Sequence, residues 1–371
     1  MILSALFLTF QIITPISVHG AQSPVVRLLL AEDLPRAVVN GSSLKVEKLV
    51  NGSFKPVINK IRMAGFSPAS RGVRLDGSDA VAAVFRIKPE TGMFRYAGRL
   101  HRGYLSIRVN SGKLMVVCHM PLESYLIGVV NGEIDSSWPL DAVKAQVVAS
   151  RSYALYQINT AFPYYDLKIN VFDQVYAGFE SEDERAEKAV AMTRGQVLYG
   201  ENGVIQAFFH SSCGGNTSSA REVWGFGFAP LKGVYCGECE EAPYARWNLS
   251  ADPMELVRAV RILYPRVNTV RSIGIHKRSS DGRVQTLFIE TGKGRVLIDA
   301  GEFRKAMGYK RLPSTKFSLG KSDGRIVFMG EGYGHGVGLC QWGARGCALK
   351  GMDYRQILKK YYPGAEIRRA Y

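Results

Sequence analysis

Short apolar runs recur from Val25 to about Val117, namely VVRLLLA, LKVEKLV, AVAAVFRI, YLSIRVN and KLMVVC. Runs of this length, rich in β-branched residues, predict strands. Asn40-Gly41, Asn51-Gly52, Asp76-Gly77 and Ser111-Gly112 break them, and such pairs suit hairpin turns because both positions tolerate positive φ. The pattern then changes. Pro121 to Val129 predicts a short helix, and Pro139, suited to a first turn, opens a longer one through about Tyr156 with Val143, Val147 and Ala154 near helical spacing. Ser181-x-x-Glu184 reads as a capping box for a third helix. Asp252-Pro253 opens a fourth through about Leu263, and Asp353-x-x-Gln356 opens a last one before Tyr361 and Tyr362. VLYG, VIQAFF, RSIGIH, VQTLFIE and RIVFMG fill the gaps as strands. No regular strand-helix alternation appears, so the predicted class is α+β, a β-rich N-terminal portion followed by a mixed α+β domain.

Composition fits that picture: 371 residues, 46% hydrophobic and 22% charged, exclude a disordered, collagenous or many-spanning chain. Charge adds a partner class. Forty-eight Lys and Arg against 32 Asp and Glu leave +16, which points to an anionic partner. Met1 to Gly20 carries no Lys, Arg, Asp or Glu, and its apolar run ends on Val18 and Gly20, small enough for a signal-peptidase site. Residues 1–20 therefore read as a cleaved export signal, although a basic start is missing; an uncleaved anchor is the alternative, and Pro15 with Gln11 disfavours a stable spanning helix. Export places the chain in the periplasm or cell wall and excludes nucleic acid as partner.

Six cysteines in an exported chain first suggest disulfides. Their spacing suggests more. His210-x-x-Cys213 and Cys236-x-x-Cys239 form two short chelating pairs, the usual way a chain builds a tetrahedral zinc site. A Cys236–Cys239 disulfide and free thiols remain alternatives, and Cys118, Cys340 and Cys347 are left over. Four protein ligands leave no open coordination position, so such a zinc would be structural.

Three stretches carry more polar and glycine punctuation than packing needs. In Gly132-Glu133-Ile-Asp135-Ser-Ser-Trp138-Pro139, an acid between two helices has Ile134 and Trp138 as apolar neighbours. Desolvation there would raise its pKa and suit it to general acid work, the bland alternative being a solvated loop or cap. Gly330 to Gly343 packs glycines around His335, a density that implies close backbone approach by a ligand or a second chain segment. Asp173-Gln174-Val175-Tyr176-Ala-Gly178 reads, on the residues alone, as a polar strand end.

Taken in order, these stretches resemble the stage II sporulation protein D family, the SpoIID/LytB domain. The resemblance runs from Glu123 through Glu133 and Trp138-Pro139 to Lys144, Gln146, Arg151 and Tyr153, then Gln174 to Gly178 and Phe209-His-Ser-Ser-Cys-Gly-Gly-Asn-Thr217. It continues through Val223-Trp-Gly225, Gly332 to Gly338, Gln341-Trp-Gly-Ala and Ile357 to Gly364, covering roughly residues 113 to 364. Ile134-Asp135 and Cys340 depart from the family pattern.

The resemblance implies an exported lytic transglycosylase that cleaves the β-1,4 bond between N-acetylmuramic acid and N-acetylglucosamine without water, leaving a 1,6-anhydro ring. One carboxyl serves as acid and then base, and the family's catalytic glutamate falls on Glu133. Lys144 and Arg151, seven residues apart on one helix face, together with Gln174, Tyr176 and His335, are then expected to bind substrate. Zinc occurs in some family members and not in others, so here it rests on spacing more than on the resemblance. The competing class is an amidase enhancer that binds peptidoglycan or a cell-wall amidase without catalysis, with membrane contact only through an uncleaved signal. A redox protein using Cys236 and Cys239 is a third alternative, disfavoured by the neighbouring Glu238, Glu240 and Glu241. The expected division is signal at 1–20, β-rich region at 21–112 and catalytic domain at 113–371.

Overall fold

The computed structural model describes residues 23–160, 162–169, 173–227 and 229–371, so the expected signal at 1–20 lies outside the described residues. The predicted strands form an eleven-stranded sheet. Its members are β1 (Val25–Leu34), β2 (Ala37–Val50), β3 (Ser53–Ala69), β4 (Gly72–Leu75), β5 (Val81–Ala82) and β6 (Val84–Pro89), followed by β7 (Met93–Tyr96), β8 (Arg99–Arg102), β9 (Tyr104–Asn110), β10 (Lys113–Pro121) and β11 (Leu167–Lys168). The order is β11-β1-β10-β9-β6-β2-β3-β4-β5, with β7 against β2 and β8 against β7. Asn51-Gly52 and Ser111-Gly112 make two-residue hairpin turns with positive φ at both positions, joining Val50 to Ser53 and Asn110 to Lys113. Asn40-Gly41 does not turn the chain. It lies inside β2, beside an irregularity in the β2–β3 register between Asn40 and Leu44.

Residues alternate across the strands, so Val26, Leu28, Val46, Ile87, Leu105, Ile107, Val116 and Cys118 form one buried core. Onto that core pack α1 (Leu122–Glu133), α2 (Leu140–Asn159) and α3 (Glu184–Met192). Pro121 and Pro139 stand at the N-cap positions of α1 and α2, one place before the first turn. The cap of α3 is Asp183, which accepts the Ala186 N–H, and Ser181 instead donates its hydroxyl to the Gly178 carbonyl. Asp252 and the Asp353–Gln356 box cap their helices, Pro253–Leu263 and Tyr354–Tyr361. Across VIQAFF only Gly203–Val204 and Phe209–His210 pair as strands.

The expected boundary at residue 112 falls in the β9–β10 turn, inside one sheet and one core that continues to α3. A separation does occur further on. From Trp247 to Gly330, two three-stranded sheets and the helices Pro253–Leu263 and Ala300–Met307 enclose their own core of Leu256, Val260, Leu287, Ile289, Phe303 and Phe328. The helices Gln341–Leu349 and Tyr354–Tyr361 then return to a third core that includes Ala145, Val148, Cys213 and Cys340.

Arg151 binds these layers together. Fully buried on α2, it reaches Glu123 of α1 through Nε at 2.9 Å and Nη2 at 2.8 Å, and also donates to the Gln196 carbonyl at 3.1 Å. Burial works against the Glu123 charge, but Arg151 and the Tyr371 hydroxyl outweigh it and hold the carboxyl below its ordinary range. Glu123→Ala leaves a buried cation without its partner, so it should cost about 3–5 kcal/mol in denaturant unfolding. An unchanged midpoint would contradict this role for the pair.

Candidate active site

Glu133 is the last residue of α1. Two glycines on that helix determine what lies beside it. Gly128 and Gly132, four residues apart, share a face, and a Cβ on them would lie 2.4 Å from Tyr176 Cε2 and 2.1 Å from the Val175 carbonyl oxygen respectively. Their bareness lets the segment 174–178 rest on the helix, where the Ala177 N–H donates to the Gly128 carbonyl at 3.0 Å. The same contact carries the Val175 N–H to Glu133 Oε1 at 2.7 Å. Gln174 anchors the segment from below, accepting from the Tyr125 hydroxyl at 2.8 Å and donating to the Ser150 carbonyl at 3.2 Å.

Glu133 opens into a cleft of about 430 Å³ lined by Asn131, Ile134, Asp135, Trp138, Ser211, Gln341 and Trp342. Trp138 and Trp342 meet edge to face with centroids 5.0 Å apart, and the Arg345 guanidinium lies 5.2 Å from the Trp342 ring centre. Burial pushes the Glu133 carboxyl up to about 7, against the smaller opposing effects of the Val175 N–H and the Gln341 amide. Asp135, exposed in the same cleft, is held low by the Ser137 hydroxyl and N–H, the latter at 2.8 Å. One carboxyl is thus poised near neutral pH while its neighbour stays ionised, the pattern by which acid roles divide. A larger cavity of about 670 Å³ lies by Gln196 and Arg355, but its acid, Glu366, is paired with Arg368 at 2.7 Å.

The other expected substrate ligands lie elsewhere. Arg151 is buried in its ion pair with Glu123, so it has no surface to offer a polymer. Lys144, although on α2 as expected, pairs with Asp141 at 3.4 Å and lies over the Tyr354 ring. Gln174 and Tyr176 are buried, the first positioning the segment that contacts Glu133 and the second stacked between His101 and Tyr125. His335 is ringed by Phe208, His210 and Trp224, and accepts the Val337 N–H at 3.1 Å on Nδ1. Burial, then Arg304 and Arg283, push it down to about 3, which keeps it neutral. The close approach expected of its glycine-rich loop is made by chain, since a Cβ on Gly338 would meet the Phe208 carbonyl oxygen. Gln341 and Trp342 were legible only as part of that loop's motif, and the Val175 N–H had no side-chain signal.

The cysteine pairs converge with one substitution of partner. Cys213, Cys236, Cys239 and Cys340 place their sulfurs within 4.8 Å of one another, all buried. His210 is not among them: its Nδ1 pairs with the Val337 carbonyl at 3.1 Å. The parallel pairing of Phe209–His210 with Leu339–Cys340 sets Cys340 opposite His210, and the Cys340 sulfur faces the cluster while accepting the Gly343 N–H at 3.3 Å. All six cysteines are free thiols.

The fold and cleft define a mixed α+β protein built around one desolvated glutamate at a helix end. A family model described as stage II sporulation protein matches residues 110–199, and a model for a domain of unknown function matches residues 237–338, close to the unit with its own core. An uncharacterized protein of Brachyspira hyodysenteriae is 34% identical over 276 residues, 74% of each chain. The amidase enhancer of Bacillus subtilis is 27% identical over 65% of this chain and 40% of its own length. Stage II sporulation protein D of Bacillus subtilis is 26% identical over 68% of this chain and 76% of its own. The chain belongs to the stage II sporulation protein D family. Among the described residues, no helix is long and apolar enough to cross a membrane.

Proposed function

We propose that the chain is an extracytoplasmic lytic transglycosylase of peptidoglycan, with Glu133 as its single acid and base. The observation that carries this is the desolvated Glu133 carboxyl, pushed up to about 7 on the floor of an open cleft with aromatic walls. Protonated Glu133 donates to the glycosidic oxygen as the bond to the muramic C1 breaks. The resulting carboxylate accepts the proton of the sugar's own 6-hydroxyl while O6 bonds to C1, so the proton count closes on one residue and no water is consumed. The Val175 N–H and the Gln341 amide steady the carboxylate between the two steps, and Trp138 and Trp342 offer ring faces to the sugar.

Purified protein should release 1,6-anhydro-muramyl products from glycan strands, and Glu133→Gln should lower that rate about 10²–10⁴-fold with the fold intact. Because the acid must start protonated, the rate should fall as pH rises through about 7. The relative named amidase enhancer favours the second reading, a non-catalytic peptidoglycan or amidase binder. Absence of anhydro products from the wild type, on both peptide-bearing and stripped strands, would overturn the transglycosylase reading and favour the binder.

The four-thiol cluster fits a structural zinc: soft donors, mutual distances within 4.8 Å and full burial suit a tetrahedral site with no open position. Zinc there would tie Cys236 and Cys239, before the unit at 247–330, to Cys340 after it. Elemental analysis should find one zinc per chain, lost with a lower melting temperature in Cys340→Ser and retained in His210→Ala. Metal-free protein with unchanged melting would overturn the assignment.

A further inference from the structure

The β-rich portion holds most of the net charge. Residues 23–121 contain sixteen Lys and Arg against six Asp and Glu, +10 of the chain's +16. Strand register gathers part of it on the sheet face turned away from the helices. Arg27 on β1 lies opposite His119 on β10, His119 opposite Tyr104 on β9, and Lys88 on β6 opposite Lys45 on β2. The Lys88 ammonium, 5.8 Å from the Tyr104 ring centre, joins the two halves into one row. Five strands at about 4.8 Å spacing make that row about 19 Å long. Arg86, opposite Ser106 and Glu47, lies alongside.

Two acids within the row lie underneath. Glu47 is 5% exposed and pairs with Arg86 at 2.6 Å and Lys45 at 3.2 Å, while Asp166 pairs with Arg27 at 2.6 Å with its own side chain 1% exposed. The cations above them keep 31% exposure at Arg27, 43% at Lys45 and 22% at Arg86. At the centre, Tyr104 and His119 stack with centroids 4.7 Å apart and planes 7° apart. Burial first, then the smaller effects of Arg27, Arg108 and Arg86, push His119 down to about 4, so the ring is neutral. A row in which Arg27, Lys45 and Arg86 lie above their acids and Lys88 has none beneath it, with a flat aromatic centre, complements an extended polymer with carboxylates along its length.

We propose that this sheet face binds peptidoglycan through the carboxylates of its stem peptides, holding the enzyme on peptide-bearing wall. The proposal rests on the substrate named above, and it assigns retention to a surface separate from Glu133. Glycan stripped of its peptides lacks most of those carboxylates and would be held weakly by this face.

The test is equilibrium pelleting of the Glu133→Gln chain with insoluble peptidoglycan, peptide-bearing or stripped, with and without Lys45→Gln and Lys88→Gln. Circular dichroism melting checks that the variants fold. Binding to peptide-bearing wall should weaken about 10-fold with both lysines replaced, and comparably when salt rises from ~50 to ~300 mM. Stripped glycan should bind weakly and be little affected. Equal binding of the folded lysine variant, equally tight binding of stripped glycan, or a preference for polyphosphate or anionic vesicles over peptide-bearing wall would overturn the proposal. In the active background, Lys45→Gln with Lys88→Gln should leave product release from short, soluble stripped strands unchanged. Pelleting reads binding without catalysis, so failure of the transglycosylase reading and failure of this surface give different results.

Discussion

The site depends on a close contact between a helix and an extended segment. Gly128 and Gly132 leave α1 bare on one side, and residues 174–178 lie against that side with a carbonyl oxygen where a side chain would otherwise be. The contact buries the Glu133 carboxyl and supplies its Val175 hydrogen bond in one stroke. Desolvation wins over the Val175 N–H and the Gln341 amide together, which is why the carboxyl sits near neutral pH instead of below it. Gln174 and Tyr176 serve this arrangement from within the fold: their buried polar and aromatic contacts fix the path of the segment.

A second constraint acts at longer range. The unit between Trp247 and Gly330 has its own core, yet the chain must leave and re-enter beside the cleft. Cys236 and Cys239 stand before it and Cys340 after it, so their convergence with Cys213 brings the two ends of a long loop together at its base. The unit also reaches back. Arg283, fully buried, donates to the Cys213 carbonyl at 2.9 Å and pairs with Asp281 at 3.2 Å, while Asp281 accepts from Ser218 at 2.6 Å. Gln341, the neighbour of Cys340, contributes its amide to the Glu133 carboxylate, so the return of the loop and the positioning of the cleft share one stretch of chain.

Local signals were legible wherever local physics decides the outcome. The Asn51-Gly52 and Ser111-Gly112 turns, the Asp252 cap and the Asp353–Gln356 box could be read because each involves only a few consecutive residues. Asp183 displaced Ser181 as a cap because a carboxylate two residues later met the helix donors first. The substitution of Cys340 for His210 could not be read, since it follows from a parallel pairing between strands 130 residues apart in sequence. Arg151 looked like a substrate ligand because seven-residue spacing shows a shared helix face, while its partner Glu123 lies on another helix. The unit at 247–330 went unseen as a separate core because its strands and helices have the same patterning as those around it. The acid itself was legible from its apolar neighbours and its motif; the contacts that raise its pKa were not.

Catalysis by one carboxyl requires Glu133 to keep a large protonated fraction near neutral pH while the protein is folded. Carbon-13 NMR titration of glutamate carboxyls, with Glu133→Gln to assign the signal, measures this directly. The Glu133 signal should titrate with a midpoint of about 7 and be absent from the variant. A Glu133 midpoint at the ordinary value of 4.5 would contradict it.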